Sequence, residues 1–174
     1  MKIKREFSMP SAWTFTMRPV KKILNEYVGD GIGWCDPFAG KSETAETRND
    51  FNGDHPSKID AIEFLKLWPD GKFDGILLDP PYSLRQISEH YKQAGIDIDG
   101  WHTSMAWGAK LKDQSSRILK HKGIAICFGW NSMGLGLKRG FEMIEILLIP
   151  HGGSKNDTIV TVERKIETQK KLFT

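Results

Sequence analysis

The sequence predicts an α/β domain: a largely parallel sheet with an antiparallel edge hairpin, covered by helices on both faces. Three observations predict it. Short apolar runs alternate with segments of helical spacing, three of those runs end in acidic or proline-bearing turns, and the last two flank a glycine-bearing loop of hairpin length. At 174 residues the chain has room for one core. With no internal repeat, low-complexity tract or linker, residues 1–174 are expected to form one domain.

Residues Phe15 to Tyr27 (FTMRPVKKILNEY) place Pro19 in a first helical turn, with Val20, Ile23, Leu24 and Tyr27 on one apolar face. Gly31 to Cys35 reads as a strand running into the turn Asp36-Pro37-Phe38-Ala39-Gly40. A second short strand is expected within Thr44 to Asp50, and a helix over Ile59 to Leu67 behind Asp60. Phe73 to Leu78 (FDGILL) is a buried strand stopped by Asp79-Pro80-Pro81-Tyr82. From Ser83 to Lys120 the pattern is helical and polar, interrupted between Gly95 and Gly100, and its second helix is expected to end at Gly123. Strands Gly123 to Gly129, Glu142 to Ile149 and Thr158 to Glu163 follow, the last two joined by Pro150 to Asp157.

Hydrophobic residues at 39% and charged residues at 27% exclude collagen-like, disordered and disulfide-scaffold chains. The net charge of +3 divides unevenly: residues 1–30 carry +3, residues 31–82 carry −5, and residues 83–174 carry +5. An acidic centre between basic flanks suits a polyanion docking on the outer parts. Cys35 and Cys127 both sit in strand-like apolar runs, so buried reduced thiols and a cytoplasmic location are expected. No apolar stretch has the length of a membrane span, and MKIKREFS lacks the apolar core of a secretory signal.

In open α/β sheets, ligands collect at the carboxyl ends of the strands. Three turns fall there: Asp36 to Gly40, Asn49-Asp50, and Asp79 to Tyr82. Four given residues in a row, as in DPPY, arise by chance in roughly one chain of this length per thousand. Each member has a chemical use. Asp79 offers carboxylate acceptors, Pro80 and Pro81 stiffen the turn so that a backbone carbonyl points into the pocket, and Tyr82 supplies a flat face. Two fixed acceptors and a stacking face would grip the exocyclic amine of a nucleobase and release its lone pair for attack.

On these residues the chain resembles the S-adenosylmethionine-dependent amino-methyltransferases of DNA, which methylate N6 of adenine or N4 of cytosine. It is most similar to small phage-encoded adenine-specific members. Asp79, Pro80, Pro81 and Tyr82 match the catalytic motif, with Tyr leaning toward adenine. Asp36, Pro37, Phe38, Ala39 and Gly40 match the cofactor loop around the methionine part, except that Ser42 replaces the second glycine. Phe15 and Thr16 open a segment like the helix that precedes that loop. Asn49 and Asp50 stand where the family reaches the cofactor ribose, and Asp60 and Ala61 where it meets the cofactor adenine. The resemblance implies a Rossmann-like methyltransferase domain with a mostly parallel seven-stranded sheet. It implies methyl transfer from S-adenosylmethionine to adenine N6 in DNA, as in restriction-modification.

No metal is expected, because His55, His90, His102, His121 and His151 show no ligand spacing. Substrate contact is expected from Ser83 to Lys122, which carries seven Lys/Arg against four Asp/Glu. There Arg85, Lys110 and Lys112 would meet phosphates, and Trp101 and Trp107 would act as wedge or platform; Lys155 joins from the hairpin loop. Only 18 residues separate Asp60 from Asp79, and about ten follow Glu163, which leaves no room for a target-recognition insert and predicts a short or loosely read target. RNA adenine and N4 of DNA cytosine stay open as substrates. So does a noncatalytic module binding S-adenosylmethionine or nucleic acid, as do monomer and homodimer.

Overall fold

The computed structural model describes residues 1–51, 55–93, 95, 100, 104–153 and 155–166, apart from the side chain of Leu84. Seven strands form one sheet: β1 (Lys2–Arg5), β2 (Trp34–Asp36), β3 (Thr47–Arg48), β4 (Phe73–Leu78), β5 (Leu119–Gly129), β6 (Phe141–Ile149) and β7 (Thr158–Lys165). Their spatial order is β1-β6-β7-β5-β4-β2-β3. All neighbours pair in parallel except β7, which runs antiparallel to both β5 and β6. The expected hairpin is therefore present. The seventh strand is Lys2–Arg5, which pairs beyond it with Glu145 to Leu148 and forms the outer edge.

Helices cover both faces. α1 (Arg18–Tyr27) lies on one, with Pro19 in its first turn and Val20, Ile23 and Leu24 buried at helical spacing. α2 (Ala61–Lys66), α3 (Leu84–Gln93) and α4 (Met105–Ile118) lie on the other. Alternation along the strands feeds the two cores: Ile76 and Leu78 pack toward α2 and α4, whereas Leu77 packs toward α1. Gly75 lets the Trp34 ring lie flat across β4, since a Cβ there would stand 2.4 Å from it.

One expectation needs correction. α4 ends at Ile118, not at Gly123, and runs directly into β5 because Leu119 already pairs with Phe73. The Lys165 ammonium donates to the carbonyls of Ser116 and Leu119 at 2.6 and 2.7 Å, which satisfies the helix end from across the sheet. Gly123 serves a close approach instead: a Cβ there would lie 2.9 Å from the Lys120 carbonyl. The β2–β3 connection begins with the turn read from Asp36 to Gly40. It is residues 37–46, a loop containing no helix, although adjacent parallel strands usually need a longer crossover. Both cysteines are free thiols, Cys35 buried and Cys127 half-buried. Among the described residues, no helix is long and apolar enough to cross a membrane.

Candidate active site

Because β2, β3 and β4 run parallel and adjacent, the turns that follow them open at the same edge of the sheet. Pro37 to Gly40, Asn49-Asp50 and Asp79 to Tyr82 line one cavity of about 470 Å³, together with Ala61 from the start of α2. Residues 43 positions apart in the chain, Asp36 and Asp79, thus come close enough for their charges to interact.

The cofactor-type loop is braced from β3. Asn49 is buried, and its amide donates to the carbonyls of Pro37 and Ile59 while its carbonyl oxygen accepts from Ser57 and from the Ile59 N–H. The Ala39 N–H donates to the Asn49 carbonyl, and the Asp50 carboxylate accepts from the Gly40 N–H at 3.0 Å. Gly40 sits at φ +57°, and a Cβ there would touch the Trp13 ring. Asp60 is committed locally. Its side chain caps α2 by accepting from Ile62 and Glu63, and the Tyr91 hydroxyl donates to its other oxygen at 2.5 Å. Its neighbours Ile59 and Ala61, not Asp60 itself, line the cavity.

Asp50, Asp79 and Glu89 line this space, and Asp36 lies near enough to Asp50 and Asp79 to feel their charges. Asp36 has no exposure; one oxygen accepts from the Phe38 N–H, and the other has no hydrogen-bond partner. Burial first, then the charges of Asp79 and Asp50, hold its carboxyl well above the ordinary range, against the Phe38 bond. Asp79 is also raised by burial, opposed by hydrogen bonds with Tyr82 and Thr14. The Tyr82 hydroxyl donates to Asp79 Oδ1, and burial together with that carboxylate pushes the phenol far above its usual value. Gln86 fastens the turn from α3 by accepting from the N–H groups of Tyr82 and Ser83 at 2.8 and 3.2 Å.

Phe15 and Thr16 line an adjoining cavity of about 370 Å³ that shares Trp13, Thr14 and Ala39 with the first. Phe15 packs on Phe128 with ring centroids 5.0 Å apart. Of the residues expected to meet nucleic acid, Trp107 is only 5% exposed. It packs edge-on against Phe38 and borders the cavity from inside, so its ring is no surface platform. Arg85 is exposed and paired with Glu89 at 2.7 Å, and Lys110 and Lys155 are exposed. Lys112 is half-buried, its charge felt by Glu163 and Cys127. Trp101 lies outside the described residues.

Sequence reasoning missed Ser11, Trp13 and Thr14, which enter the cavity from the segment leading into α1, and did not single out Gln86 and Glu89 on α3; His90 and Tyr91, in the segment expected to meet substrate, also line the cavity. It also missed Trp130, whose ring meets Tyr82 edge-on at 5.6 Å. The strand-end rule applied to β5 points to Trp130. Nothing local marks Trp13 and Thr14, whose partners lie far along the chain. Among the described residues no group of three His, Cys, Asp or Glu is arranged to hold a metal ion.

No family model matches the chain, and no curated protein matches it. Solved structures do. The chain is similar to the 1,6-didemethyltoxoflavin-N1-methyltransferase of Burkholderia thailandensis, whose crystal holds 1,6-didemethyltoxoflavin and S-adenosylhomocysteine. The TM-score is 0.58 at 14% identity, over 86% of this chain and 78% of that one. It is also similar to TrmN from Thermus thermophilus, with a TM-score of 0.53 at 15% identity over 86% of this chain, and it spans about half of that protein's length (49%). These likenesses show a Rossmann-like methyltransferase fold.

Proposed function

We propose that this chain transfers a methyl group from S-adenosylmethionine to N6 of adenine in DNA, reading a short or relaxed target. The observation that carries this reading is the single cavity shared by the Asp79–Tyr82 turn and the Pro37–Gly40 loop. The cavity's charge suits the methyl donor. S-adenosylmethionine carries a sulfonium and an ammonium, and the carboxyl groups of Asp50, Asp79 and Glu89 line the space, while one oxygen of nearby Asp36 is buried and unpartnered. The structurally similar Burkholderia enzyme was crystallised with the demethylated form of that donor.

Pro37 to Gly40, Asp50, Ala61, Phe15 and Thr16 would hold the donor, which supplies an electrophilic methyl group. Asn49, fully engaged in hydrogen bonds, would set the shape of the loop instead of touching the ligand. Asp79 and the Pro80 carbonyl accept the two hydrogens of the adenine amine, so that its nitrogen lone pair turns toward the methyl carbon. Tyr82 lies against the extruded base. The Tyr82 hydroxyl donates to Asp79 Oδ1, so the amine takes that acceptor by exchange with the phenol. Thr14 and Gln86 keep the carboxylate and the turn in place meanwhile.

The test is transfer of tritiated methyl onto unmethylated duplex DNA, single-stranded DNA and RNA, with nucleoside analysis of the product. N6-methyladenine in DNA is expected, and Asp79→Ala should lose at least a hundredfold in rate while staying folded. Label in RNA, or in cytosine, would move the assignment to that substrate. Full activity in Asp79→Ala would end the mechanism.

A further inference from the structure

Trp13 and Trp130 are the two exposed tryptophans among the described residues, at 47% and 41%. Both touch the candidate site or its lining: Trp13 lines the cavity with Lys41 5.0 Å above its ring, and Trp130 meets the lining residue Tyr82. The other described tryptophans are used in packing. Trp34 and Trp107 are buried, and Trp68 lies between Phe64 and Phe73.

Trp130 also stands on a prepared support. It directly follows β5, which pairs with β4 as far as Cys127 and with β7 through Gly129. Beyond it the Asn131 side chain accepts from the Met133 N–H, Leu135 is buried, and the N–H groups of Leu135 and Gly136 donate to Glu163 at 2.6 and 3.0 Å. Gly134, at φ +49°, gives the turn its close approach to Glu163, since a Cβ there would fall 2.1 Å from the carboxylate. A loop tied down this firmly would not be needed to leave a large ring in water. Its ring meets Tyr82 edge-on with centroids 5.6 Å apart, which sets a second flat group next to the one assigned to the reacting base. An exposed aromatic ring beside Tyr82 suits the next base along a strand.

We infer that Trp130 stacks on the nucleobase flanking the methylated one, so that the strand is held unstacked across Tyr82 and Trp130. The inference rests on the nucleic-acid reading above and adds a second base site to it. Base–aromatic stacking tolerates any base, which agrees with a loosely read target.

The experiment uses the full chain with S-adenosylmethionine and a fluorescein-labelled single-stranded 12-mer containing one adenine, compared with the same strand made abasic on both sides of it. Trp130→Ala should weaken binding of the intact strand by about tenfold to a hundredfold. Trp130→Phe should recover most of that loss, and the turnover defect should appear in KM more than in kcat. On the abasic strand, wild type and Trp130→Ala should bind equally, a result that a merely structural role for Trp130 would not produce. Equal loss on both strands, or no loss on either, overturns the inference and leaves the methyltransferase reading standing. Failure of the wild-type protein to bind or methylate any oligonucleotide, with S-adenosylmethionine still bound in calorimetry, overturns the nucleic-acid reading and this inference with it.

Discussion

Asp36 holds a carboxylate oxygen without a partner in a place with no water access, beside two other acids. Fold stability alone would not select such a group, because an unpaired buried charge is costly. The cost shows in its proton affinity. Its carboxyl is held well above the ordinary value of 3.8, so over the window between 3.8 and the native value the folded chain keeps a proton that the unfolded chain has lost. Stability therefore falls as pH rises through that window and levels off above it. Asp36→Asn should remove this dependence, unfolding about 1–3 kcal/mol later than wild type at pH 8 and with little difference near pH 4. Urea unfolding at the two pH values measures it, alongside weaker S-adenosylmethionine binding. Equal stability at pH 8 would contradict the account. The Asp79–Tyr82 turn was legible residue by residue, because its chemistry lies within four consecutive positions. Its bond with Thr14 was not, since nothing near Thr14 in the chain announces a carboxylate 65 positions away.

Among the elements, α2 shows how a short helix is kept in position. It has six residues, too few to be stable alone. Asp60 satisfies its first N–H groups, and Arg117 from α4 satisfies its far end, donating to the carbonyls of Leu65 and Trp68 at 2.9 and 2.8 Å and pairing with Asp70 at 2.7 Å. The cation also suits the negative end of the helix dipole. Arg117→Ala should cost about 2 kcal/mol, read as a lower urea midpoint with unchanged slope. Because Ala61 borders the cavity, donor affinity should fall too. A midpoint equal to wild type would show that Arg117 is surface only. The Asp60 cap was legible in the sequence; the Arg117 cap was not. One follows from local spacing, whereas the other needs α2 and α4 to pack. The same limit explains the end of α4, which Gly123 seemed to mark and which Lys165, 47 positions beyond Ile118, satisfies in fact.

In the whole molecule, strand direction sorts the charges. α3 leaves the carboxyl end of β4, and α4 runs back to the amino end of β5, so Arg85 and Lys110 lie toward the edge of the sheet where the cavity opens. The β6–β7 loop places Lys155 at that edge as well. Under the nucleic-acid reading, Lys110→Glu and Lys155→Glu should each lower the slope of log affinity against log salt by about one, weakening binding most at low salt. Fluorescence anisotropy across a salt series measures this, and an unchanged slope would remove these residues from the interface. Local sequence specifies the α/β alternation, the antiparallel hairpin and the three strand-end turns, because each is written in local periodicity, proline and glycine placement, or a short motif. The rest came from packing: Lys2–Arg5 as the seventh strand, Trp107 in the core, Arg117 at the far end of α2, Trp13 lining the cavity and Trp130 against Tyr82. An exposed tryptophan and a buried one look alike in sequence. What distinguishes them is which distant strands pair beside them, and that is set by packing of the whole chain.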